Sequence, residues 1–240
     1  RKSSLAILDK ADKDGQLRTL IQKNDRAGVV ELLERYLPRE YMTPIEHRYW
    51  NLILEKIANP APIKDRVVMF RGTSGDKLYP MIKDGVEMTQ EQAVKEGKLV
   101  AMSTMITRNQ GTWNRRLRSL QTIYGKDFSL NSDNPSSKIP QTHRLSTWMK
   151  SHSISPEGSP FLSFSSELDI SLRFGEDSLG AFLVDPDMLI FNQMSGYSNE
   201  LEYLHVLMTF PDEMISYYDK EIDTKLGNSD IRKLIERGIV

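Results

Sequence analysis

Cysteine is absent from all 240 residues, which removes disulfides, thiolate metal ligands and a cysteine nucleophile. That absence fits a cytosolic protein or one translocated unfolded. Neither sign of charge dominates: 32 Lys and Arg stand against 33 Asp and Glu, a net charge of −1. No nucleic-acid surface or affinity for an acidic membrane is therefore expected. No apolar run reaches the roughly 20 residues of a bilayer span. Gly-x-Ser-x-Gly, a Walker loop and Gly-x-Gly-x-x-Gly are all missing, so a serine-hydrolase elbow and the common nucleotide turns are not expected. The histidines His47, His143, His152 and His205 lack metal-ligand spacing, and no metal is expected; His205 should pack or bond within its strand. The chain opens on Arg1-Lys2 without a signal-peptide pattern, as an excised piece of a longer protein would.

What is present divides by character near residue 100. Leu17, Leu20, Ile21, Val29, Val30, Leu32, Leu33 and Leu37 keep a helical period with an interruption near Asn24-Asp25. Thr43-Pro44-Ile45-Glu46 reads as a capped helix start, followed by an apolar face of Tyr49, Trp50, Ile53, Leu54 and Ile57 and a stop at Pro60 and Pro62. Thr89 with Gln92 marks another short helix, and Ser229 a last one through Leu234. Short β-branched or aromatic runs read as strands: Val67-Val68-Met69-Phe70, Phe161 to Ser165, Ala181 to Val184, and Glu202 to Met208. Between Asp127 and Pro160 lies a Ser/Pro/Asn-rich stretch expected to be a lid or binding loop, or else disordered. Trp113 among Arg115, Arg116 and Arg118 is expected on a solvated helix face or a partner surface rather than against RNA. The fold class expected is α+β: a helical lobe over 1–100, ending in the Arg71 strand and a short helix, then a β-sandwich-like lobe over 101–240.

The most pointed local feature is Ser198-Asn199-Glu200-Leu201-Glu202-Tyr203-Leu204. If extended, it puts Glu200 and Glu202 on one face, roughly 7 Å apart at about 3.3 Å rise per residue, with Leu201, Tyr203 and His205 on the other. An edge strand with two solvated acids has the same pattern. Two upstream motifs change its meaning. Val67 to Thr73 is a strand ending Arg71-Gly72-Thr73, and Phe161-Leu162-Ser163-Phe164-Ser165-Ser166 is an aromatic-led serine strand. A short helix, Glu167 to Phe174, follows the serines, with Gly175 as its expected left-handed cap.

In this order, over roughly residues 66–210, the motifs resemble the arginine–serine–glutamate class of mono-ADP-ribosyltransferases. The middle of the usual serine–threonine–serine triplet is Phe164 here, a departure that alternation along the strand tolerates. The helical first lobe, the long Arg71–Ser163 spacing and a second arginine, Arg108, look like the transferase module of the SidE family of bacterial ubiquitin-modifying effectors. The resemblance implies transfer of ADP-ribose from NAD, held in a cleft between the two lobes, to an arginine of a host protein, with ubiquitin as the expected acceptor and the host cytoplasm as the place of action. A monomer is expected. The family's separate phosphodiesterase domain has no counterpart in this chain.

Breaking the nicotinamide–ribose bond develops an oxocarbenium-like cation, so the chemistry needs a rigidly held dinucleotide and negative charge beside it. By resemblance Glu202 bonds a ribose hydroxyl and stabilises that cation, while Glu200 orients the acceptor guanidinium and helps it lose a proton. Arg71 is the expected clamp for phosphate or ribose oxygens, with Arg108 a second, and Gly72 and Thr73 lie beside it. Ser163 is expected to hydrogen-bond Glu202 and hold its rotamer, with Ser165 beside the cofactor and Phe174 stacking on nicotinamide. Met194 to Ser198 would form the substrate-recognition turn. Bland roles remain open for each: a strand-end salt bridge for Arg71, a surface cation for Arg108, a plain strand serine for Ser163, and a core anchor for Phe174. The competing functions are a non-catalytic partner-binding module on the same fold, and transfer to a hydroxyl side chain or to another protein.

Overall fold

The computed structural model describes residues 15–36, 39, 44–73, 78–104, 106, 149–150, 152–154, 156, 159–175, 178–192 and 201–219. Helix α1 (Gln16–Gln22) and helix α2 (Arg26–Tyr36) are separated where the sequence interrupts its period. Asn24 takes a left-handed φ of 57°, and Asp25 Oδ1 accepts from the Gly28 amide at 2.9 Å, capping α2. Helix α3 (Pro44–Ala58) starts at the expected proline and buries Trp50, Ile53, Leu54 and Ile57. Thr43 and the Glu46 side chain, on which the capping box depends, lie outside the described residues, as do Leu37 and the helix expected from Ser229.

Strands β1 (Val67–Thr73), β2 (Leu78–Pro80), β3 (Ile82–Lys83) and β4 (Val86–Glu87) lead into helix α4 (Gln90–Glu96). Its capping box is complete: the Gln92 amide donates to Thr89 Oγ1, and Gln92 Oε1 accepts from the Thr89 amide. Strand β5 (Leu99–Ala101) pairs with β2. Then come β6 (Phe161–Ser165), helix α5 (Leu168–Phe174), β7 (Ser178–Val184), β8 (Leu189–Phe191), β9 (Glu202–Val206) and β10 (Met214–Asp219). The main sheet runs β10-β7-β1-β6-β9-β8 with every pairing antiparallel. Mixed helices and antiparallel sheets make this an α+β protein.

Two apolar clusters hold it. One joins Ile21, Leu33, Trp50, Ile53 and Ile57 of α1–α3 to Phe161, Leu204 and Val206 of the sheet. The other joins Met69, Leu162, Phe164, Phe182 and Val184 to Ala93 and Val94 of α4. Phe164, the residue departing from the triplet, meets Phe182 edge-on at 5.3 Å between ring centroids. It packs inward, as alternation allows. A division at residue 100 would pass between β1 and its partners, because β1 lies in the middle of the sheet, between β7 and β6.

Two local expectations are corrected. Gly175 has φ −128°, so left-handed backbone is not its purpose. Its ideal Cβ would stand 2.5 Å from Gly72 Cα and 2.3 Å from Ser178 O; close approach of α5 to β1 demands the glycine. The extended run through the acidic pair also stops short. Leu201 has a left-handed φ of 42° and β9 begins at Glu202, so period-two alternation does not carry back through Leu201.

Candidate functional site

Strands β1, β6 and β9 are neighbours, and one row of residues crosses them: Phe70 faces Ser165, and Ser165 faces Glu202. That is the sole registered pair between β1 and β6 among the described residues. Beside it, where the ladder stops, the next side chain takes over. Arg71 Nη1 donates to the Ser163 carbonyl at 2.7 Å. Arg71 Nε is buried and has no hydrogen-bond partner among the described residues. Burial pushes the guanidinium down to about 10 and the Glu202 charge pulls it back up, so it remains a cation at neutral pH.

Glu202 is held from one side. Its Oε2 accepts from Asn192 Nδ2 at 2.5 Å, and its main-chain carbonyl accepts from the Asn192 amide at 2.8 Å. Asn192 follows β8, whose Phe191 pairs with Tyr203 of β9, so the β8–β9 register places the amide beside the acid. Asn192 Nδ2 also donates to Ser153 Oγ at 2.9 Å, and Ser153 donates to the Met149 carbonyl at 3.2 Å.

His152 completes the cluster. Its Nε2 lies 2.8 Å from Ser163 Oγ and 3.7 Å from Glu202 Oε1, and its Nδ1 lies 2.6 Å from Ser159 Oγ. The ring is buried and meets Phe161 edge-on at 6.0 Å. The expected Ser163–Glu202 hydrogen bond is therefore corrected. Among the described residues the side-chain partner of Ser163 is His152, whose imidazole lies within reach of both serine and acid. His152 lies in the stretch expected to be a lid or binding loop or disordered, and residues 152–154 are helical. Neither His152 nor Asn192 carried a local signal in the sequence.

The other expected contacts divide. Ser165 is buried, and its Oγ accepts from the Glu167 amide at 3.1 Å. Thr73 is buried with its hydroxyl 2.9 Å from Ser178 Oγ, so its side chain is engaged inside the sheet. Gly72 lies against α5: a Cβ there would stand 2.0 Å from Ser171 O. Phe174 is 59% exposed, which removes the core-anchor alternative. Glu200, Arg108, the turn from Met194 to Ser198 and the Trp113 to Arg118 segment lie outside the described residues. Among the described residues no group of three or more His, Asp or Glu could hold a metal, and no helix is long and apolar enough to cross a membrane.

A second polar cluster lies in the core. A small pocket of about 10 Å³ is lined by Arg26, Lys56, Asp185, His205 and Glu213 together with apolar side chains, at the lower limit of what holds one water. Neither His205 ring nitrogen makes a hydrogen bond of good geometry among the described residues; burial pushes the ring down to about 4, with the Val206 backbone pulling it back up. Burial pushes Glu213 up to about 7 against the pull of Arg26, and its Oε2 accepts from the Phe210 amide at 2.6 Å. His205 thus packs within its strand, as expected.

No family model, no curated protein and no solved structure matches the chain.

Proposed function

We propose that the chain is a mono-ADP-ribosyltransferase that moves ADP-ribose from NAD to an arginine of a protein, ubiquitin being the leading acceptor, and releases nicotinamide. The lobe that carries the site is assigned the fold of that transferase class, with NAD held beside β1, β6 and β9. The observation that carries this reading is the convergence of Arg71, Ser163 and Glu202 on three adjacent strands, although they lie far apart in sequence. A guanidinium beside a carboxylate held on one oxygen suits a dinucleotide whose ribose becomes cationic as its glycosidic bond breaks. Glu202 supplies the negative charge at that carbon, and Glu200 prepares the acceptor guanidinium. The protein acts in a host cytoplasm.

The test mixes the chain with NAD and ubiquitin, follows nicotinamide release and weighs the ubiquitin. A mass gain of one ADP-ribose is expected. Glu202→Ala should abolish both NAD hydrolysis and transfer, whereas Glu200→Ala should spare hydrolysis more than transfer. Ubiquitin binding without NAD turnover would instead identify a binding module, and labelling in lysate but not of pure ubiquitin would identify another acceptor. Equal loss of both activities in Glu200→Ala would overturn the division between the acids.

A further inference from the structure

We infer that His152 is a positioning residue of this site, which turns the Ser163 hydroxyl into a hydrogen-bond donor toward the bound ligand and steadies the open oxygen of Glu202. The inference rests on the transferase reading for its substrate, though not for its hydrogen-bond geometry.

The polarity follows from the groups on either side of the ring. Ser159 Oγ accepts from the Phe161 amide at 3.1 Å and still carries a hydrogen that it can give to His152 Nδ1 at 2.6 Å. With that donation Nδ1 is the acceptor of the ring, and a neutral imidazole carries its proton on Nε2. The other side agrees. Nε2 faces Ser163 Oγ at 2.8 Å and the acceptor-only carboxylate oxygen Glu202 Oε1 at 3.7 Å. A bare nitrogen lone pair would repel that carboxylate, whereas an N–H is attracted to it. Ser163 Oγ therefore accepts from His152. Its own hydrogen has no acceptor among the described residues and is left to donate to a ribose hydroxyl or carboxamide oxygen.

The neighbouring residue acts on the same acid. Ser153 takes a hydrogen bond from Asn192 Nδ2, the group that also holds Glu202 Oε2. One helical turn thus reaches both oxygens of Glu202: Oε2 through Ser153 and Asn192, Oε1 through His152. Oε2 is engaged by Asn192, and Oε1 is the oxygen left to meet the developing cation. A displaced carboxylate costs rate because reacting groups must be held within a fraction of an ångström.

Three measurements decide this. In the ¹⁵N-labelled chain, long-range proton–nitrogen correlations should show His152 Nε2 protonated and Nδ1 bare; a proton on Nδ1 alone overturns the inference. For NAD hydrolysis, His152→Ala should lower kcat about ten- to hundredfold with a smaller change in KM. His152→Gln, which restores a donor near Nε2, should recover most of that loss at an unchanged Tm. Wild-type kcat in His152→Ala, or a Gln variant no better than Ala, sinks the positioning role. Labelling of Ser163 by a fluorophosphonate would show instead that His152 serves as a base for a serine nucleophile. If the wild-type chain leaves NAD intact, the transferase reading fails, and the tautomer measurement still decides the hydrogen-bond polarity.

Discussion

Folding shifts Glu213 and His205, which line one small pocket, in opposite directions, and their effects on stability oppose each other. Glu213 moves from an ordinary 4.5 to about 7 on folding. The folded state keeps its proton longer, so its contribution is fully present below 4.5 and is lost as pH rises to about 7. His205 moves from 6.5 to about 4. Its contribution is present above 6.5 and is lost as pH falls toward 4. Between about 4.5 and 6.5 the two slopes nearly cancel in the intact protein. Glu213→Gln removes one of them. Urea unfolding from pH 4 to 8 should show the variant gaining on the wild type as pH rises through that window, at up to about 1.4 kcal/mol per pH unit. A constant difference across the range would show that Glu213 does not hold its proton. The same scale explains why Glu202 was legible in one dimension while His152 was not. A carboxylate paired at i, i+2 and followed by a strand is a local pattern, whereas a buried histidine bonded to serines 7 and 11 residues away has none.

Among the elements, the contact between β1 and α5 decides where Arg71 points. Gly72 and Gly175 meet backbone to backbone, and a Cβ on Gly72 would stand 2.0 Å from Ser171 O and 2.6 Å from the Gly175 amide nitrogen. Neither atom belongs to a flexible side chain, so strand and helix must part. Gly72→Ala should lower the unfolding free energy by about 3 kcal/mol, as overpacking a fixed contact does, and should impair NAD turnover because Arg71 is adjacent. Denaturant titration beside an activity assay checks this; a neutral effect would mean that the helix shifts freely. Local patterning served well for α3, α5 and β6, and the Thr89 capping box for α4. It missed β2, β3, β4, β5, β8 and β10, which are short or lack a bounded apolar run and gain their strand character from pairing.

At the scale of the whole molecule, Asp185 joins the two halves of the chain. Its side chain is 1% exposed. Oδ2 accepts from the Ala61 amide at 2.8 Å, Oδ1 accepts from the Asp187 amide at 2.9 Å, and Lys56 Nζ stands 3.6 Å away. The end of α3 is thereby tied to the turn between β7 and β8, which leads on to Asn192. Asp185→Ala leaves buried donors unpaired and should cost about 3 kcal/mol. Asp185→Asn should cost less, since one acceptor oxygen survives, and equal losses in the two variants would count against the tie.

From its sequence alone the chain determined the α+β class, its longer helices and the arginine, serine and glutamate worth watching, because period, caps and alternation are properties of neighbouring residues. The tertiary structure alone decided that β1 lies mid-sheet, that Arg71 reaches the Ser163 carbonyl, and that His152 and Asn192 hold Ser163 and Glu202. Each of those joins segments far apart in the chain, and such contacts form only when burial of the shared core brings the strands together.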